Sequence, residues 1–264
     1  MNIHMPKHAL FAVIHGPAEE LDILEHTLSM WAAQYDPAGF GCAVFVRNAS
    51  ETMRVMVGAL LSVRETDWDA PQVEELVERL VEAEFLRVYQ ADAVLAALVA
   101  PHWRSIVQAP GGAGKTHIAA GIIAVGAVAG ICEWLYLVQN RELAAQTQRV
   151  FDKVLPAMLQ VLGDADATVT CASYGTAPVA SLRAAQGLLV DECHGVCAPT
   201  RAKVIGSMKS VLFRCGLSAT PLLRQDSGNA LVIGLLGPVC YTIKPARLVS
   251  EGYLAKGIHR LVCL

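Results

Sequence analysis

The sequence predicts an α/β fold, a parallel β-sheet covered by helices on both faces and preceded by a small α+β unit. Three observations carry that prediction. From Leu86 onward short apolar runs alternate with helix-length segments, the pattern of parallel strands whose two faces are both buried. A glycine-rich octapeptide, Ala109-Pro110-Gly111-Gly112-Ala113-Gly114-Lys115-Thr116, joins the apolar run Ser105 to Gln108 to a helix-like run beginning at His117. A further apolar run, Gly187 to Val190, ends in the adjacent carboxylates Asp191 and Glu192.

The elements follow in order. His8 to His15 reads as a strand, Ala18 to Ala33 as a helix with Leu21, Ile23, Leu24, Leu28 and Trp31 on its apolar face, and Gly41 to Arg47 as a second strand. Ser50 is placed to cap an amphipathic run from Glu51 to Val63. The charged segment Glu65 to Pro71 reads as a linker, and Pro71 to Glu84 as a helix with an acidic outer face. Strands are then expected at Ser105 to Gln108, Trp134 to Val138, Thr168 to Ala172, Gly187 to Val190 and Val211 to Gly216. The stretch Ile118 to Cys132 is apolar and rich in Gly and Ala, but too short to span a bilayer. It predicts a buried helix, with Gly126 and Gly130 permitting close packing on the sheet. Three units result: 1–70 as a small α+β accessory domain, 71–100 as a linker helix and the segment after it, and 101–264 as the main α/β domain.

Composition sets the class. With 264 residues, 54% hydrophobic and 17% charged, the chain can bury a full α/β core and a smaller unit. The 8 Cys are scattered without paired spacing, which predicts reduced thiols and a cytoplasmic location. Cys193, His194 and Cys197 lack a second Cys/His pair, so no structural zinc is expected. No secretion signal and no membrane partner is expected either. The net charge of -3 conceals an asymmetry: residues 1–100 hold 6 Lys+Arg against 15 Asp+Glu, and the remainder 15 against 9. Positive potential in the main domain is compatible with nucleic acid, although a solvated mixed surface explains it equally, and the acidic N-terminal unit is ill suited to grip DNA.

The octapeptide has the chemistry of a triphosphate cradle. Glycines let backbone N–H groups point at the phosphates, and the N-terminus of the following helix adds a favourable dipole. Lys115 is placed to reach the β- and γ-phosphates and the Thr116 hydroxyl to ligate Mg²⁺. The usual pattern has Gly where this chain has Ala109. Hydrolysis needs a metal to neutralise developing charge and a base to orient water, and adjacent carboxylates can divide those tasks. Asp191 is assigned to the Mg²⁺ shell and Glu192 to the water. Lys115, Asp191 and Glu192 are thus the candidate catalytic set, acting on a nucleoside triphosphate with Mg²⁺ as cofactor.

Taken with Leu137 to Gln146 (L-V-Q-N-R-E-L-A-A-Q), Val190 to His194 (V-D-E-C-H) and Leu217 to Pro221 (L-S-A-T-P), the octapeptide resembles the motif series in the first RecA-like domain of a superfamily 2 DExH helicase. Ala109 is the residue that this helicase variant of the loop has. Gly234 to Pro238 and Leu248 to Ala255 are similar to the branch holding repair helicases, phage helicases and restriction-enzyme motor subunits.

The resemblance implies that the nucleotide is ATP, and it implies more roles. Leu86-Arg87-Val88-Tyr89-Gln90 is similar to the family's L-R-x-Y-Q element, in which Gln90 would read the adenine edge and Arg87 would stack on the base. The nucleotide set is then Arg87 and Gln90 with Pro110, Gly111, Gly112, Ala113, Gly114, Lys115, Thr116 and His117. Arg141, with Ser173, Tyr174 and Thr176, would contact the phosphate backbone of one strand without reading sequence. His194, Ser218 and Thr220 would couple the nucleotide site to nucleic-acid binding. DNA is expected in preference to RNA. Gln139-Asn140 stands where Pro-Thr is common, and Gly112 where Thr is common, which adds flexibility to the loop.

The family draws arginine fingers from a second RecA-like domain, and the sequence reaches Leu264 in what reads as the strand leading across to one. The expectation is a fragment or truncated product with weak ATPase activity by itself. Two function classes follow: an ATP-driven helicase or translocase, and a non-motor, ATP-gated adaptor on DNA or a partner protein.

Overall fold

The computed structural model describes residues 2–4, 13–15, 70–100, 103–163, 165–208, 211–222 and 228–256. Asn2–His4 (β1) pairs antiparallel with Val13–His15 (β2), Ile3 opposite Ile14. β2 falls inside the strand expected from His8 to His15, and β1 is an addition to it. The expected elements at 18–33, 41–47 and 51–63 lie outside the described residues.

From residue 70 the order is α1 (Ala70–Glu82), α2 (Val88–Leu98), β3 (Arg104–Gln108), α3 (Lys115–Val128), β4 (Glu133–Val138), α4 (Arg141–Leu162), β5 (Thr168–Ser173), α5 (Val179–Ala184), β6 (Gly187–Asp191), α6 (Pro199–Ser207), β7 (Phe213–Ser218), α7 (Gly228–Leu236), β8 (Val239–Thr242) and α8 (Pro245–Ser250). β3 to β8 form one six-stranded sheet, ordered β5-β4-β6-β7-β3-β8, with every pair parallel. Five strands match the sequence expectation. β7 runs two residues later than expected, because Leu217 and Ser218 continue its ladder opposite Val107 and Gln108 of β3. α7 and β8 are additions. The run 230–236 is uniformly apolar and so carries no period, and a four-residue strand leaves too short a pattern to read.

Side chains divide between the two faces with the strand period of two. On β4, Trp134, Tyr136 and Val138 join the core beneath α1 to α4, whereas Leu135 and Leu137 join the core beneath α5 to α7. Ile106 and Val107 of β3, and Leu188 and Leu189 of β6, split the same way. Both faces are therefore covered, as predicted.

Gly126 within α3 and Gly130 just beyond its end do different things. A Cβ on Gly126 would lie 2.5 Å from the Trp134 ring, so this position admits the close helix-to-sheet contact expected of it. Gly130 has φ +83 and open space around it. Its N–H bonds the Ala127 carbonyl while the Ile131 N–H bonds Gly126, a left-handed stop that ends the helix rather than a packing contact. Asn140 caps α4 by accepting from the Leu143 N–H at 2.8 Å, which is what this residue contributes in place of the common Thr.

Candidate nucleotide site

Strand order brings the site together. β7 lies between β3 and β6, so Ser218 at its carboxyl end falls between the octapeptide that follows β3 and the acidic pair that ends β6. Carboxyl ends of parallel strands are where such folds collect ligands.

The octapeptide folds as a tight loop into α3. Gly112 and Gly114 both take left-handed φ, +79 and +76, and the Ala113 N–H bonds the Pro110 carbonyl. Ala109 is fully buried and its N–H bonds the Ser218 carbonyl at 2.9 Å, so its methyl is accommodated in the core. Gly112 is more than a flexible substitute for Thr: a Cβ there would meet Leu254 at 2.7 Å, on a backbone that side chains rarely adopt. Gly114 is confined likewise, because a Cβ would come within 2.4 Å of Gln90 Nε2. Lys115 and Thr116 open α3, and His117 is exposed at its first turn.

Across from them, Lys115 Nζ lies 3.2 Å from Glu192 Oε1. Glu192 has φ +48, unusual for a residue with a side chain and common where a site fixes geometry. Its other oxygen accepts from Ser218 Oγ at 3.0 Å and lies 3.4 Å from His194 Nδ1. Ser218 is fully buried. Its one proton goes to Glu192, so the Thr220 N–H at 3.2 Å and His194 Nδ1 at 3.1 Å both act as donors to Ser218 Oγ. The three residues expected to act together are joined to Glu192 through the Ser218 hydroxyl.

Asp191 is placed differently. Its Oδ1 is buried and has no hydrogen-bond partner among the described residues. Burial, then the neighbouring Glu192 charge, push its carboxyl above the ordinary range, against the pull of Lys115. A buried, unsatisfied carboxylate oxygen beside a lysine and a second carboxylate suits a hard divalent cation. Asp191, with the Thr116 hydroxyl, would hold Mg²⁺, which would supply charge neutralisation to the phosphates. Cys193, His194 and Cys197 are engaged separately: Cys193 is buried against Gly216, Cys197 Sγ donates to the His194 carbonyl, and the imidazole of His194 meets Ser218.

Gln90 is buried at the third position of α2. Its Oε1 accepts from the Arg87 N–H at 3.0 Å and its Nε2 donates to the Ala113 carbonyl at 3.1 Å, which pins the element before α2 to the loop. One N–H and one lone pair remain for a base. Arg87, Gln90, Phe85, Gly112, Gly114 and His117 line a cavity of about 320 Å³.

The residues expected to touch nucleic acid do not form one surface of free donors. Arg141 is exposed at the start of α4, whereas Ser173 is buried with its Oγ 2.8 Å from Thr176 Oγ1 in the turn after β5. Tyr174 presents its ring to the Arg201 guanidinium at 4.7 Å, and its hydroxyl is buried.

Three residues had no assigned role. Tyr89 donates to the Ala113 carbonyl at 3.1 Å, Gln108 Nε2 donates to the Ala219 carbonyl at 3.1 Å, and Tyr253 lies under Arg87 with the guanidinium 4.3 Å from its ring centre. Tyr89 and Tyr253 sit inside segments that carry the family resemblance, and that is the signal they offer.

A phosphate loop after the first strand of an all-parallel sheet, facing an acidic pair across an intervening strand, defines the first RecA-like domain of a superfamily 2 helicase. The chain belongs to the family described as type III restriction enzyme, res subunit, whose model matches residues 84–223. It is similar at 30% identity over 178 residues to the DNA 3'-5' translocase XPB2 of Sulfurisphaera tokodaii, covering 65% of this chain and 38% of that protein. The chain thus spans about two fifths of the length of that relative. Two structures of the UvsW helicase of bacteriophage T4 share the fold at 18% identity, with TM-scores of 0.52 and 0.50. They are matched over 68% and 69% of this chain and over 70% and 40% of theirs.

Proposed function

We propose that this chain is the ATP-binding half of a nucleic-acid motor, which binds Mg²⁺-ATP and hydrolyses it in response to DNA. The observation that carries the proposal is the Lys115, Glu192, Ser218 and His194 arrangement, in which a phosphate-loop lysine and the end of the neighbouring strand meet on one carboxylate. Lys115 holds the triphosphate, Thr116 and Asp191 hold Mg²⁺, and Glu192 orients the attacking water. Ser218, Thr220 and His194 pass the state of that carboxylate to the nucleic-acid face, where Arg141, Ser173, Tyr174 and Thr176 stand. The enclosed position of Ser173 and Tyr174 makes Arg141 and Thr176 the more direct backbone contacts. DNA is favoured over RNA because the relative XPB2 is described as a DNA translocase.

In this proposal residues 101–264 are the first RecA-like domain, 71–100 bring the base-recognition segment, and 1–70 form an accessory unit. Full turnover then needs a second RecA-like domain to supply arginine fingers.

The test compares wild type with Lys115→Ala and Glu192→Gln. Mg²⁺-dependent ATP binding is expected in wild type and Glu192→Gln and lost in Lys115→Ala. Slow hydrolysis, stimulated by DNA, is expected only in wild type. Hydrolysis indifferent to Glu192→Gln overturns the motor reading, and binding without any hydrolysis, in the presence of a second RecA-like domain, supports an ATP-gated adaptor instead.

A further inference from the structure

We propose that Tyr253 is a positioning residue for the nucleotide base: it backs one face of the Arg87 guanidinium and leaves the other face for the ring of a bound nucleoside triphosphate. This deepens the function proposed above and rests on it.

The placement of Tyr253 is fixed by its own backbone. α8 ends at Ser250 with Glu251 as its cap, Gly252 takes φ +78, its N–H bonds the Val249 carbonyl at 3.2 Å and the Tyr253 N–H bonds the Leu248 carbonyl at 2.8 Å. That pair of bonds is a Schellman stop, which turns the chain back over the helix and holds the residue after the glycine in a defined direction. Leu248 is fully buried, so the stop is anchored to the core. Tyr253 then projects beside the phosphate loop, its neighbour Leu254 standing against Gly112.

Tyr253 is 40% exposed, and its ring touches two members of the L-R-x-Y-Q element at once. The Tyr89 ring centre is 5.2 Å away, and the Arg87 guanidinium sits 4.3 Å above the ring. Tyr89 also donates to the Ala113 carbonyl, so the tyrosine pair is tied to the loop. Arg87 is exposed and lines the cavity that Gln90, Gly112, Gly114 and His117 close. A guanidinium is planar with two stacking faces. Tyr253 covers one side of the group, whose Nη1 also donates to the Tyr89 hydroxyl at 3.4 Å, and the side away from the ring is the natural platform for a base in that cavity. An arginine without such backing would sample many rotamers and lose that ordering on binding.

The test separates base from phosphate. Binding of ATP and of inorganic tripolyphosphate, both with Mg²⁺, is measured on wild type, Tyr253→Leu, Tyr253→Phe and Arg87→Ala. Leucine keeps apolar bulk but has no π face, and Phe keeps the face. Tyr253→Leu is expected to weaken ATP binding by about three- to tenfold, the range of a partly exposed cation–π contact. It should leave tripolyphosphate binding unchanged, raise KM for ATP and spare kcat. Tyr253→Phe should match wild type, and Tyr253→Leu should add little to Arg87→Ala. Unchanged ATP affinity in Tyr253→Leu overturns the proposal, as does an equal loss of ATP and tripolyphosphate, which would make Tyr253 a support of the loop. Wild type that binds neither ligand overturns the underlying function itself.

Discussion

Ser218 Oγ stands 3.0 Å from Glu192 Oε2, a hydrogen bond between the carboxyl ends of two adjacent parallel strands. The serine is fully buried, and its remaining capacity is filled by the Thr220 N–H and His194. Moving any one of these groups therefore moves the carboxylate assigned to the attacking water. A hydrogen bond to a charged group contributes about 1.5–3 kcal/mol, which is roughly ten- to a hundredfold in a rate that depends on its orientation. Ser218→Ala is expected to lower DNA-stimulated hydrolysis by that factor while ATP affinity stays within about twofold, since no phosphate ligand is lost. Titration of ATP binding beside steady-state hydrolysis checks the split. A parallel loss of affinity would place Ser218 in ligand binding instead.

Gly237 governs the far edge of the sheet. It has φ +105, and a Cβ there would lie 2.4 Å from the backbone carbon and oxygen of Arg104. The carbonyl of the next residue, Pro238, accepts from the Ile106 N–H at 2.8 Å as β8 joins β3. Backbone yields far less readily than a side-chain tip, so Gly237→Ala must displace β8 from the strand that carries the phosphate loop. A loss of about 2–4 kcal/mol is expected, the sum of left-handed strain and local misfit. Gly111→Ala is the control: nothing lies within 4 Å of a Cβ there, and a change within about 0.5 kcal/mol is expected. Urea midpoints of the two variants against wild type give the comparison.

The same glycine shows what sequence could and could not convey. Alternating apolar runs revealed five strands because each is flanked by helices of distinct period, and the phosphate loop and acidic pair were legible because their chemistry requires fixed residue types at fixed spacing. Gly237-Pro238 could be read only as part of a family signature. Its reason, an approach to Arg104, is a contact 133 residues distant in the chain, and no local pattern encodes it. Tyr253 was missed for the same cause: its partners Arg87 and Tyr89 lie on another element. Ser173 and Thr176 stood out only through the family resemblance, and their mutual hydrogen bond depends on the turn that follows β5.

The buried thiols predict how stability responds to alkali. Burial pushes Cys171 and Cys240 up to about 12 and holds Cys193 and Cys215 higher than an ordinary thiol. In the unfolded chain these groups ionise near 9, so above that pH the unfolded state binds fewer protons than the folded one. The stabilisation is complete below about pH 9 and is lost as pH rises towards the folded values, by up to about 1.4 kcal/mol per pH unit for each thiol. Melting temperature should fall progressively between pH 9 and 11, and replacing Cys171 and Cys240 by Ala should flatten that fall. At pH 7.5 a maleimide should label Cys193 and Cys215, both buried, only after denaturant is added.

Asp191 offers the sharpest trade between stability and chemistry. Its Oδ1 is buried without a hydrogen-bond partner among the described residues, and both burial and Glu192 disfavour its charge. Asparagine has nearly the same shape and no charge, so Asp191→Asn removes that unfavourable contribution while keeping the packing around the end of β6. In EDTA the variant is expected to melt above wild type, by on the order of 2 °C for a domain of this size. Adding Mg²⁺ and ATP should reverse the ranking, because binding stabilises only the protein that keeps the metal ligand. Wild type should gain several degrees and Asp191→Asn little. If the variant melts lower in EDTA, the carboxylate is a structural group whose partner offsets its burial, and its assignment to the metal fails; if it gains as much as wild type from Mg²⁺-ATP, the ion is held elsewhere.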